Sequence, residues 1–331
     1  MSEGTLPDMK KIGVLILFVL TAVISCRAQT KADDGDFRLA LPAHQGQLHW
    51  HAEGFKVIQS SAKPKGVEIG IRASDGASKF TFLGFLFLVP EQAPMTSAKC
   101  RDGALGPAKI KPVASIQMAR SDGPPVELVS YVGQGQDGKL IYSVRGFLAE
   151  GDICGDLEIY GNDVSVISDP NLKKIWDSYR FDPNYSPQFN DVSLYAEILY
   201  QNHMYEAAAP FFEQALTRLK DDKSKDQLMW QRVTTDQAGM AYGLAGNIPK
   251  ARAIFEAAVA RDPEYPMYYY NLACADAEEK KLADARNHLQ QAFAHKENVI
   301  RGETMPDPTK DDSFLPYRGD KEFWTFLESL H

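Results

Sequence analysis

The chain has 331 residues, 44% of them apolar and 24% charged, with a formal net charge of −8. That length allows two domains with separate cores, and the composition excludes wholesale disorder. An acidic balance without clustered Lys and Arg leaves no electrostatic footprint for a phosphate backbone, which excludes nucleic acid as the expected partner.

Lys10 and Lys11 precede an apolar run from Ile12 to Ile24, which ends at Ser25 and Cys26. A basic start, an apolar stretch of this length and then small residues predict an export signal over residues 1–28. The run is too short to span a bilayer comfortably as a permanent helix. Its end, Val23-Ile24-Ser25-Cys26, resembles the lipobox of bacterial lipoproteins. The resemblance implies that Cys26 carries the lipid anchor. Arg27 beside it implies an outer-membrane lipoprotein facing the periplasm. Cleavage after Ala28, which discards Cys26, is the alternative.

Residues 35–181 read as a sheet domain. Short β-branched runs, GFKVIQSSA and GVEIGIRAS, flank a Lys-Pro-Lys-Gly turn. Phe80 to Val89 is almost continuously apolar and predicts a central strand buried on both faces. Four further strand candidates follow up to Tyr160. Asp169 and Pro170 then open a helix whose Leu172, Ile175, Trp176 and Tyr179 form one apolar stripe, fit to cover a sheet face. The expected architecture is α+β, an antiparallel sheet closed by a helix. A sheet closed by a helix ending Ser178-Tyr179-Arg180-Phe181 is loosely similar to PsbP-type domains of exported proteins. In an oxidising compartment Cys100 and Cys154 are expected to be bridged, with two buried thiols as the alternative. Cys274 reads as a small packing residue.

Residues 182–188 carry two prolines and read as a linker. Beyond them the period becomes helical, and the segment 189–299 repeats itself. Arg232 to Tyr265 places Gly239, Ala251 and Ala258 at small positions, Tyr242 and Phe255 at aromatic ones and Pro263 near the end. This pattern closely resembles a tetratricopeptide repeat, which implies a helical hairpin within a solenoid. Pro266 to Val299 follows in the same register, with Ala273, Ala285 and Ala292 small, but Asp276 stands where an aromatic is usual. Phe189 to Asp222 is an earlier copy through Ala196, Ala208, Phe212 and Ala215, set off by an insertion over Lys223 to Gln231. Residues 300–331 read as a loop and a helix with Phe323, Leu327 and Leu330 on one face, the expected cap of the array.

The repeat resemblance implies a concave face lined by the first helix of each hairpin. Carried over, the partner-binding residues are Glu197, Tyr200, Asp236, Met240, Tyr270, Asn271 and Glu278. The set is aromatic and acidic and lacks the Lys and Arg with which some family members clamp C-terminal carboxylates. An extended segment of basic or apolar character is therefore the expected ligand, and plain solvated helix faces are the alternative.

Other constellations point away from chemistry. Gly133, Gly135 and Gly138 fit G-x-G-x-x-G, but a strand follows them where a dinucleotide site needs a helix, so a hairpin is expected. His49, His51 and Glu53 alternate and could hold zinc on a strand face, although a solvated face is the stronger expectation. Asp152, Asp156 and Glu158 lack any sign of the two unlike environments that a catalytic pair needs. No catalytic residue, cofactor or metal is expected. The reading is an exported, lipid-anchored protein-interaction scaffold. Its rivals are an enzyme or small-ligand carrier in the N-terminal domain and a structural part of an envelope assembly.

Overall fold

A computed structural model describes residues 35–330, apart from 78, 91–93, 107–111, 121–122, 136 and 221–223. The export signal and Cys26 lie outside the described residues. Two compact units divide the chain, one ending at Gly246 and the other beginning at Asn247.

Among its described residues the first unit holds ten antiparallel strands. These are β1 (Asp36–Ala40), β2 (Gln47–His51), β3 (Phe55–Ala62), β4 (Glu68–Asp75), β5 (Phe80–Leu88), β6 (Ala114–Met118), β7 (Val126–Gln134), β8 (Leu140–Glu150), β9 (Ile153–Gly161) and β10 (Arg180–Asp182). They form a three-stranded sheet, β1-β2-β10, and a seven-stranded sheet, β3-β4-β5-β9-β8-β7-β6. The α+β architecture is the expected one. Strand β5 is interior, between β4 and β9. Phe80, Phe82 and Leu86 on one side of it are buried, but Leu83, Phe85 and Phe87 on the other are only half-buried. The expected burial on both faces is thus corrected. The reason is α1 (Ser97–Leu105), whose core joins Cys100 and Leu105 to Val129, Phe147 and Cys154 and reaches only the Phe87 end of β5.

The opposite face is closed as the sequence predicts. Asp169 caps α2 (Pro170–Ser178) by accepting from the Asn171 amide, and Leu172, Ile175, Trp176 and Tyr179 are all buried. From the small sheet, Trp50 stacks on Phe37 at 5.6 Å and meets Phe82 edge-on at 5.5 Å. Gly84 makes room for it, since a Cβ there would lie 2.6 Å from the indole ring. Strand β10 is too short to announce itself in sequence; it exists because Arg180–Asp182 pairs with β2. Residues beyond it, expected as a linker, are tied in place. Gly46 donates its amide to the Tyr185 carbonyl (2.7 Å), and the Tyr185 hydroxyl donates to Asp191 (2.7 Å).

Three helices complete this unit: α3 (Phe189–Gln201), α4 (Tyr205–Leu219) and α5 (Gln227–Leu244). Ala196, Ala208 and Ala215 are fully buried, so the helix backbones approach closely at the positions the repeat reserves for small residues. The hairpin α3–α4 is anchored on the sheet. The Tyr195 hydroxyl donates to the carbonyls of Glu68 (2.8 Å) and Lys63, and Arg218 donates to those of Pro42 (2.8 Å) and Pro187. Helix α5 begins at Gln227, inside the expected insertion, and the added turn sets Trp230 6.2 Å from Phe189.

The second unit contains α6 (Ile248–Arg261), α7 (Pro266–Glu278), α8 (Leu282–Ala294) and α9 (Lys321–Glu328). The first residues of α6 and α8 stand 34 positions apart, and Ala251, Ala258, Ala273, Ala285 and Ala292 are all buried. Asp276, where an aromatic is usual, ties three helices by charge instead of packing. It accepts from Arg252 of α6 at 2.7 Å and meets His288 of α8 at 2.6 Å, while Arg252 also reaches Glu279 at 2.9 Å. Helix α9 is the cap, with Phe323, Phe326 and Leu327 buried against Ala285, Leu289 and Ala292.

Candidate functional site

In the first unit α3 and α5 carry four of the residues that the repeat pattern singles out. Glu197 on α3 is 8% exposed, and its carboxylate accepts from the Gln201 amide one turn on, at 2.9 Å. Burial pushes its pKa up to about 7, with the Gln201 hydrogen bond opposing. Tyr200 is half-buried, edge-on to Tyr205 at 5.1 Å and Phe212 at 6.1 Å. Burial raises its hydroxyl pKa first, and the charge of Asp236 on α5 adds to the shift, which places those two side chains near each other. Asp236 is fully buried and Met240 half-buried. Tyr200 and Met240 are therefore the members of this set with side chains a partner can reach, while Glu197 and Asp236 are buried.

In the second unit the expected residues separate. Asn271 is half-buried and Glu278 exposed, but Tyr270 is only 2% exposed. Its hydroxyl donates to Asp311 at 3.0 Å, and its ring meets Phe314 edge-on at 6.1 Å. Tyr270 as an open groove contact is thus corrected: the chain's own residues 311–314 cover it. Glu303 and Asp311, both buried, were missed in sequence. The signal present was the cluster Tyr265, Tyr268, Tyr269 and Tyr270, followed by a tail that carries Glu303, Asp307, Asp311 and Asp312.

The remaining constellations do not assemble a reaction centre. His51 Nδ1 lies 2.9 Å from Asp36 Oδ1, and His49 Nε2 is 3.6 Å from the same oxygen, while Glu53 sits in an exposed turn. Among the described residues no group of three His, Cys, Asp or Glu could hold a metal ion. Ser178 neighbours this cluster, yet its hydroxyl accepts from the His51 backbone amide (2.9 Å) and donates to the Ile175 carbonyl (2.8 Å). It is engaged with backbone and makes no nucleophile–imidazole pair. Asp156 is held by Arg145 in a two-pronged pair, with Nε to Oδ1 at 2.8 Å, and burial pushes its carboxyl up against the pull of that guanidinium. Glu158 accepts from the Tyr131 hydroxyl, and Asp152 stands apart in the turn between β8 and β9. Cys100 and Cys154 form a disulfide with Cα atoms 5.9 Å apart, pinning α1 to β9. Gly133, Gly135 and Gly138 belong to the β7–β8 hairpin, where the Gly135 amide donates to the Lys139 carbonyl at 2.8 Å.

No family model matches the sequence, and no curated protein matches it. Within each unit consecutive helices pair as a hairpin, α3 with α4 and α7 with α8. Solved structures similar to this chain include the Sgt2 TPR domain of Aspergillus fumigatus, with 17% identity over 43% of this chain and 81% of that one, at a TM-score of 0.31. The type III secretion chaperone SycD of Yersinia enterocolitica, in complex with a peptide of the translocator YopD, has 16% identity over 42% of this chain and 88% of that one, at 0.29. MamA of Desulfovibrio magneticus has 15% identity over 48% of this chain and 81% of that one, at 0.32.

Proposed function

We propose that the chain is a protein-interaction scaffold whose helical hairpins bind a partner segment, and that it is exported and lipid-anchored through Cys26. The observation that carries the binding role is the α3–α5 surface. Tyr200 of α3 and Met240 of α5 keep part of their aromatic and thioether surface accessible, and the buried Asp236 carboxylate acts on Tyr200. Such a surface suits an extended segment with a basic side chain, since a cation would meet a carboxylate already removed from water. Export draws support from the basic and apolar N-terminal pattern and from the Cys100–Cys154 disulfide, a bond that persists in oxidising compartments. Site-specific crosslinking in intact cells from position 200 tests the binding role. A discrete crosslinked partner that disappears with Tyr200→Ala and Met240→Ala supports it; unchanged crosslinks in the double variant defeat it. Membrane fractionation of Cys26→Ser tests the anchor, with release to the soluble fraction expected.

A second reading, a small-ligand carrier in the sheet domain, draws on an open cleft of about 560 Å³ whose lining mixes Met95, Pro124, Ala149, Phe181 and Pro183 with the charged Glu150. Native mass spectrometry of the intact chain separates it from the first, because a carrier retains a bound small molecule.

A further inference from the structure

Residues 300–317 have no regular strand or long helix; the backbone turns at Ile300–Glu303 and makes single 3₁₀ turns at Pro308–Lys310 and Leu315–Tyr317. Such a segment gains little from its own hydrogen bonds, so what orders it must come from the surface beneath. That surface is α7. The Tyr265 hydroxyl donates to both oxygens of Glu303 at 3.0 and 3.1 Å. The Tyr270 hydroxyl donates to Asp311 Oδ2 at 3.0 Å, and Cys274 Sγ lies 3.9 Å from the same oxygen. Tyr317 donates its hydroxyl to the Ala277 carbonyl, and Phe314 is fully buried between Tyr270 and Phe323. The contacts therefore follow α7 from its N-terminal flank to its last turn. Two carboxylates meet phenol hydroxyls, and one aromatic ring packs between Tyr270 of α7 and Phe323 of α9.

We propose that residues 303–317 are a resident ligand of α7, and that this surface takes an extended acidic partner segment carrying a carboxylate three residues before an aromatic ring, which displaces the tail. The spacing is that of Asp311 and Phe314. The inference rests on the scaffold reading but concerns α7 alone, so its failure leaves the crosslinking result at Tyr200 untouched. Recognition by Tyr hydroxyls suits a displaceable ligand. A neutral donor offers a carboxylate less than a guanidinium does, so the tail's advantage over a competing segment with the same two groups lies in its tether, which a tight-binding partner overcomes. Cys274, half-buried beneath Asp311, becomes more exposed when the tail leaves.

Two measurements test this on the full chain with its disulfide intact. Hydrogen exchange of the unmodified protein is expected to show the amides of Phe314, Leu315 and Tyr317 opening at least about tenfold faster than those within α7, as a locally releasable segment does. Equal rates would make the tail a core element and overturn the proposal. In the second, a labelled synthetic peptide of residues 300–318 is titrated into the wild-type chain and into a chain bearing Asp311→Ala and Phe314→Ala. The expected result is binding at least about tenfold tighter to the variant chain, lost when the peptide itself carries Asp311→Ala. A peptide that binds neither chain overturns the proposal. So does a variant chain that loses its helical circular dichroism, because a displaceable ligand leaves its receptor folded.

Discussion

Replacing Glu197 by Gln isolates the cost of holding a carboxylate inside the first hairpin. The residue is 8% exposed, and its carboxylate accepts a hydrogen bond from the neutral amide of Gln201. Burial raises its pKa from 4.5 to about 7 in the folded chain. Below pH 4.5 the folded and unfolded chains both carry the proton, and the group contributes nothing to the difference. Between pH 4.5 and 7 the folded chain keeps a proton that the unfolded chain has lost, so stability falls as pH rises, and above 7 the loss is complete. At about 1.4 kcal/mol for each pKa unit, the full loss is about 3 kcal/mol. Glutamine has nearly the same shape and no charge. Glu197→Gln is therefore expected to match wild type at pH 4 and to exceed it by up to about 3 kcal/mol at pH 8. Urea unfolding followed by tryptophan fluorescence at both pH values, with Trp230 reporting from α5, measures this. A gain of equal size at both pH values, or none at pH 8, would refute the reasoning, because either would mean that Glu197 is solvated or already neutralised.

The other predictions concern packing, charge and covalent ties. Gly84→Ala places a methyl 2.6 Å from the Trp50 ring and is expected to lower stability by about 1–3 kcal/mol, read from the urea midpoint of the first unit. Asp276→Ala removes a buried partner from Arg252 and His288 but leaves Arg252 paired with Glu279, and is expected to cost about 1–3 kcal/mol. Amide exchange in α6–α8 measures it, and an unchanged rate would show that the network is neutral. Cys100→Ser with Cys154→Ser opens a loop of 54 residues and is expected to cost about 2–5 kcal/mol, with the thermal midpoint of the oxidised wild type as reference.

The elements that the sequence exposes best are those held by local chemistry. Asp169-Pro170 and the stripe from Leu172 to Tyr179 define α2 because cap, proline and apolar period agree. The hairpins are legible because Ala196, Ala251 and Ala285 recur where helices must touch. What sequence hides depends on distant partners. Helix α1 has only Ser97, Cys100 and Leu105 buried, too few to make a stripe, and it is held by a disulfide to a strand 54 residues away. Strand β10 has three residues and needs β2 to exist. At the candidate site, repeat positions identify Tyr200 and Met240 as surface and cannot show that Tyr270 is covered, since the cover comes from an irregular tail without a period. Asp276 was visible as a departure from the pattern, but its reason, Arg252 on one side and His288 on the other, required the fold.

The Tyr195 hydroxyl, seated on the carbonyls of Lys63 and Glu68, bears on how the molecule can be cut. A solenoid needs something to cover the outer side of its first repeat, and here a turn of the sheet does so, with Gly66 in a left-handed conformation (φ 74°) facing the Phe211 ring. Removing residues before 189 would leave Tyr195 and Phe211 facing water and four backbone groups, the carbonyls of Pro42, Lys63, Glu68 and Pro187, absent from their donors. A fragment that keeps the helices but not the sheet is thus a solenoid without its first lid. Its aggregation would report the missing lid, and a fragment meant to test partner binding has to begin before β1.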